Sequence, residues 1–122
     1  MLRFARGFFD AVERGDLEAV GRHYAPNAVI WHNTDEVAQT PEENLKTLVG
    51  FVGRIRDRRY EDRKVHAFPG GFVHQHRLTG TRTADGIRVS LTACIVCAVE
   101  GGRITRLDEY FDSAAVASFR AV

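Results

Sequence analysis

Histidine and carboxylate are the side chains here that could move a proton near neutral pH, and the chain carries five of the first and sixteen of the second. Histidine ionises close to neutrality, and a carboxylate beside it fixes which ring nitrogen holds the proton and raises its basicity. Three of the five histidines lie in β-type sequence: His32 within Ala28-Val-Ile-Trp-His-Asn33, and His74 and His76 within Phe72-Val-His-Gln-His-Arg-Leu78. Glu109 sits between Leu107 and Phe111 in a similar alternating run. Cys94-x-x-Cys97 has the spacing of a redox or metal pair, which requires both sulfurs on one side, as at a helix start. Sorting these groups requires the elements that position them.

Phe4, Phe8 and Val12 recur every four residues up to Arg14-Gly15, which predicts a first helix closed by a left-handed glycine. Asp16 caps a second, short helix with Leu17, Val20 and Tyr24 on one face, ended by Ala25-Pro26. Ala28 to Asn33 reads as a short strand. Thr40-Pro41-Glu42-Glu43 has a Thr cap, proline at the first helical position and Glu three residues after the cap, and starts a third helix. Its apolar stripe is Leu45, Leu48, Val49, Val52 and Ile55. From Arg58 the period changes to two. Strands over 58–68, 72–83 and 87–99 and a last one ending at Asp112 are separated by Pro69-Gly70-Gly71, Asp85-Gly86 and Glu100-Gly101-Gly102. The run Arg54 to Lys64, six basic residues diluted by Asp57, Glu61 and Asp62, reads as a solvated helix end and an exposed strand. These elements define an α+β domain over 1–122, a mostly antiparallel sheet of one short and four long strands covered by three N-terminal helices.

Alternation assigns faces. Val89, Leu91, Ala93, Ile95, Cys97 and Val99 form one wholly apolar face, so the odd-numbered side of that strand points inward. Leu107, Glu109 and Phe111 point inward on the last strand, as do Phe72, His74, His76 and Leu78 on theirs. Cys94 and Cys97 then face opposite sides and form no pair. His23 and His66 have no useful neighbours in sequence and read as surface or strand-end residues. Charge excludes other classes: 17 basic against 16 acidic residues leave a net +1, which gives no field to draw the chain onto nucleic acid or anionic lipid. No apolar run approaches the roughly 20 residues of a membrane helix, and no secretory leader is recognisable, so the chain is expected in the cytoplasm.

The order helix, helix, strand, helix and long meander resembles the cone-shaped fold of nuclear transport factor 2-like proteins. That superfamily includes the SnoaL-like polyketide cyclases, ketosteroid isomerase and limonene epoxide hydrolase. Arg14-Gly15-Asp16-Leu17 with Tyr24-Ala25-Pro26-Asn27-Ala28-Val29, the triplet Trp31-His32-Asn33, and Gly102 through Asp112 carry the likeness. The resemblance implies a curved sheet enclosing a pocket, and a homodimer. It places His32 where ketosteroid isomerase has its proton-shuttling aspartate. Phe8 and Ile95 fall where that enzyme has its two oxyanion donors, which speaks against steroid isomerisation. Glu109 matches one catalytic carboxylate of limonene epoxide hydrolase, while His76 and Leu78 replace its arginine and second aspartate.

The expected constellation is therefore His32, His74, His76 and Glu109 as the acid–base set, with His32 or His74 as base. Phe8, Trp31, Asn33, Phe72, Leu78, Ile95, Cys97, Leu107 and Phe111 would bind a small, partly apolar molecule. The leading expectation is a cofactor-independent isomerase, hydrolase, cyclase or dehydratase. A non-catalytic binding or dimerisation module of the same fold is the alternative. A metal site built from three histidines and Glu109 has suitable ligand types but is unusual in this fold, and no metal or cofactor is expected.

Overall fold

Local sequence sets the helix boundaries in the computed structural model, which describes residues 1–120. Helix α1 (Leu2–Arg14) stops at Gly15, whose φ of 73° is the left-handed cap conformation that glycine adopts without strain. Helix α2 (Leu17–His23) is capped by Asp16, which accepts the Ala19 amide at 3.1 Å. Helix α3 (Pro41–Arg54) starts with the reciprocal Thr40–Glu43 capping box. Its inner face differs from the apolar stripe expected. Val49 is 60% exposed, Ile55 opens the next strand, and the buried residue is Asn44, whose Oδ1 accepts the Tyr24 hydroxyl at 2.7 Å. Leu45 and Leu48 of that stripe do pack half-buried against the core, beside Phe51, so a buried hydrogen bond joins the aliphatic contacts on the inner face.

Strand β1 (Tyr24–His32) begins directly after α2, four residues before the expected start. Pro26 does not end the preceding element but sits in the strand, within the stretch where the ladder to the neighbouring strand shifts register. The two-residue β2 (Ala38–Gln39) pairs with Ile30 and Trp31 and is too short to leave a pattern in sequence. The long strands β3 (Ile55–Phe68), β4 (Gly71–Arg82), β5 (Arg88–Glu100) and β6 (Arg103–Phe111) form the meander. A fourth helix, α4 (Ser113–Arg120), follows, where none was expected; Asp112 accepts the Ala114 amide at its start. The described residues thus form four helices and six strands instead of three and five.

The sheet order is β2-β1-β6-β5-β4-β3, antiparallel except for the β1–β6 pair, which is parallel. This is the α+β cone: a curved open sheet with helices on its concave side. Two bulges bend β3, at Asp57 and Asp62, which take φ of 52° and 54° beside the two register shifts against β4. Helix α3 runs from the β2 edge of the sheet to the β3 edge, because those are the strands it joins. Two apolar clusters fill the concave side. One packs Phe8, Phe9, Val20 and Ile30 between α1, α2 and the sheet; the other packs Leu78 and Leu91 against Val116 and Phe119 of α4. Phe51 and Tyr60 touch both clusters.

Candidate active site

The gap between the two clusters is a cavity of about 290 Å³, walled by Leu48 and Phe51 of α3, Leu78, Leu91 and Phe111 of the sheet, and Val116 and Phe119 of α4. Its polar lining comprises His32, Thr34, Asp35, Gln39, Thr47, Arg54, Tyr60 and Glu109. A smaller void of about 50 Å³ beside it is lined by Phe8, Phe9, Tyr24, Ile30, Ile95 and Leu107 among others. Val12, His32, Leu48, Tyr60 and Glu109 line both, so the acid–base candidates stand at the junction.

His32 and Glu109 meet because β1 and β6 run parallel with these two residues in register. His32 Nε2 lies 3.1 Å from Glu109 Oε1, with side chains only 19% and 17% exposed. Asn33 holds that register: its side-chain Nδ2 donates to the Phe111 carbonyl at 3.0 Å, and its Oδ1 accepts the Phe111 amide at 3.1 Å. Its backbone amide also donates to the Glu109 carbonyl at 3.0 Å. Asn33, expected among the substrate-binding residues, thus uses its side-chain amide to clamp the strand ends.

His74 and His76 do point inward as alternation required, but they lie elsewhere. Both are buried, His74 completely, and neither lines the cavity. Their Nδ1 atoms are 2.7 Å apart, and the His74 ring stacks on Phe9 at 3.7 Å between centroids. Desolvation is the main cause that lowers both, His74 to about 3 and His76 to about 4; Glu109 pulls His76 back up. Two neutral rings sharing one hydrogen are a core pair. The four-residue constellation therefore divides into two pairs, and among the described residues no group of three or more His, Cys, Asp or Glu is placed to hold a metal ion.

The expected walls divide in the same way. Leu78 and Phe111 line the main cavity, and Phe8, Ile95 and Leu107 the smaller one. Phe72 and Cys97 are fully buried in the core, and burial raises the Cys97 thiol far above its ordinary range. Trp31 lies on the opposite, convex face, its ring 5.4 Å from Tyr110, as its odd place in β1 between inward Ile30 and His32 dictates. Of the histidines set aside, His66 is exposed, whereas His23 is half-buried, with Nδ1 2.8 Å from the Ala19 carbonyl oxygen and its ring 4.9 Å from Phe4.

Sequence reasoning missed Arg54 and Tyr60. Both fall in the charged run read as solvated, yet both line the cavity. Burial, reinforced by the charge of Glu109, raises the Tyr60 hydroxyl above its ordinary range, so it remains the neutral hydrogen-bond donor that any tyrosine is at neutral pH. Elsewhere in that run Arg63 pairs with Asp10 at 2.8 Å, and Arg58 donates to the Val52 and Ile55 carbonyls.

A parallel-paired first strand, a meander behind it and a cavity between sheet and helices define a class of small cone-shaped domains. Residues 5–107 match the SnoaL-like domain, and the chain belongs to that family. No curated protein matches the sequence. Among solved structures, an NTF2-like protein of unknown function from Burkholderia pseudomallei superposes with a TM-score of 0.84 at 18% identity, over 99% of this chain and 97% of that one. IdmH from Streptomyces antibioticus, a candidate polyketide cyclase, gives 0.84 at 18% identity over 98% and 97%. An LEH-like epoxide hydrolase of M. tuberculosis gives 0.75 at 19% identity over 96% and 86%. At these identities the likeness establishes the fold. No helix among the described residues is long and apolar enough to cross a membrane.

Proposed function

We propose that the protein is a cofactor-independent enzyme of the isomerase, hydrolase, cyclase or dehydratase type, acting by proton transfer on a small, partly apolar molecule. The observation that carries this reading is the His32–Glu109 pair, 3.1 Å apart on the wall of a 290 Å³ cavity that is otherwise largely apolar. A carboxylate facing an imidazole in a largely buried site orients the ring and stabilises its protonated form, so His32 can take a proton from a carbon or a water and return it. His74 is the poorer candidate base, since it is stacked under Phe9 against His76 and lines neither cavity. Tyr60 supplies a neutral donor for oxygen charge that develops on the substrate, a role open here because Phe8 and Ile95 carry no donor. The structures of the candidate cyclase and of the epoxide hydrolase support enzymatic use of such a cavity.

The test needs no knowledge of the natural substrate. 2-Tetralone, an apolar ketone with acidic α-hydrogens, is incubated with the protein in D2O, and exchange is followed by NMR. The wild type should accelerate exchange over buffer, and Glu109→Gln should reduce that acceleration by about 100-fold or more, the usual contribution of a positioned acid–base group. An equal rate in the variant removes Glu109 from the mechanism. No acceleration by the wild type, with tetralone bound, favours the binding-module alternative, which the apolar Phe8 and Ile95 also suit.

A further inference from the structure

Arg54 is the last residue of α3 and faces the cavity from the end opposite the β2 edge. Its Nε is buried without a partner, and among the described residues its side chain forms neither an ion pair nor a hydrogen bond. Other arginines nearby are engaged: Arg63 with Asp10, Arg82 with Asp85, and Arg58 with backbone carbonyls. The guanidinium folds back along α3 into the space left by Gly50, where an added Cβ would come within 2.9 Å of Nη1. Elsewhere the cavity it lines is walled by Phe51, Leu78, Leu91, Val116 and Phe119. Asp35, the other carboxylate of the cavity, sits at the β1–β2 turn, where its Oδ1 caps the Val37 amide. It lies toward the other edge of the sheet and is no counter-ion for Arg54.

A cation in an apolar wall with no counter-ion gains more from an incoming anion than a solvated one does, and the planar guanidinium accepts a carboxylate through two parallel hydrogen bonds. From Thr47, at the β2 end of the cavity, to Arg54 the helix rises about 10 Å, which sets the scale of a ligand reaching across. We infer that Arg54 is an anion-binding residue of this cavity and that its ligand is an organic acid. Such a ligand places its carboxylate on Arg54 and its apolar body between Phe51 and Phe111, with its far end toward the His32–Glu109 pair. This rests on the reading of the cavity as a substrate site but makes no use of the catalytic step.

The experiment compares equilibrium binding of 4-phenylbutanoate with that of its neutral isostere 4-phenylbutanamide by calorimetry, at pH 7.5 and low salt. The wild type should bind the acid about ten-fold more tightly than the amide, and Arg54→Gln should bring the two to within about two-fold of each other. Arg54→Lys should keep part of the preference, and Arg56→Gln, which removes an exposed charge two residues away, should keep all of it. A wild type that binds neither compound or shows no preference, an Arg54→Gln that retains the preference, or an Arg56→Gln that loses it overturns the assignment. The preference, if present and lost only at Arg54, stands even where tetralone exchange fails, so the two readings fall separately.

Discussion

A contact of 2.7 Å between the Nδ1 atoms of His74 and His76 holds a single hydrogen, so one ring donates and the other accepts, and both are neutral. Their ionisation is pushed down to about 3 and about 4, chiefly by desolvation, against an ordinary value of 6.5. The sign follows from linkage. Below pH 6.5 the unfolded chain binds protons that the folded pair refuses, so the stability contributed by the neutral pair is complete above pH 6.5 and is lost as the pH falls toward 4. Denaturant midpoints should therefore drop between pH 7 and pH 5, each ring contributing at most about 1.4 kcal/mol per pH unit. His76→Gln removes one titration and should flatten that dependence by about half; an unchanged slope would assign the acid sensitivity to other groups. At this scale the sequence was partly legible. Alternation was enough to turn His74, His76 and Glu109 inward, because the side-chain period of a strand is two. It could not tell which imidazole meets Glu109, because that depends on the parallel β1–β6 register, a pairing between strands more than 70 residues apart in the chain.

Helix α3 shows what an element gives up to place a side chain. It contains Gly50 and Gly53, each unfavourable by about 1 kcal/mol relative to alanine in a helix interior. At Gly53 nothing lies within 4 Å of an added Cβ, whereas at Gly50 the Arg54 guanidinium occupies that space. Gly53→Ala should accordingly stabilise the protein by about 0.5 to 1 kcal/mol in chemical denaturation, with ligand preference unaltered. Gly50→Ala should gain less and weaken the preference for the acid over the amide, because Arg54 must move aside. Equal gains and an equal preference in the two variants would show that Gly50 has no part in seating Arg54. The helix start was readable from Thr40-Pro41-Glu42-Glu43 alone, since a capping box is a purely local device. Strand β3 was not readable in the same way. Its bulge at Asp62 shifts the alternation, so the inward face passes from Arg58 and Tyr60 to Arg63 and Val65, and no single parity over 58–68 could collect those residues on one face among their charged neighbours. Aspartate tolerates the left-handed conformation better than most residues, and Asp57 and Asp62 are the only trace of the two β3 bulges in the sequence.

In the whole molecule the cavity exists because two apolar clusters share a wall without merging. The first is built by α1 and α2, whose periodicity was plain; the second needs α4, a short helix whose described residues bring Val116 and Phe119 as buried contacts, Ala115 as a half-buried one, and an Asp112 cap. That economy explains both why α4 escaped the sequence reading and why it matters. Without it, Leu78 and Leu91 would face water and the cavity would lose one end. Phe119, 6% exposed, is the larger of the two contacts. Truncating a buried phenylalanine to alanine commonly costs 3 to 5 kcal/mol, but this ring borders space that is already empty, so fewer packing contacts are lost; Phe119→Ala should cost about 2 to 3 kcal/mol. A loss below about 0.5 kcal/mol would mean that α4 frays independently of the sheet. Binding separates two roles for the same ring. If Phe119 closes the cavity, 4-phenylbutanoate should bind Phe119→Ala more weakly while its preference over the amide persists, because the apolar wall is thinned and Arg54 is untouched. If Phe119 only stabilises the fold, affinity measured well below the denaturation midpoint should equal that of the wild type.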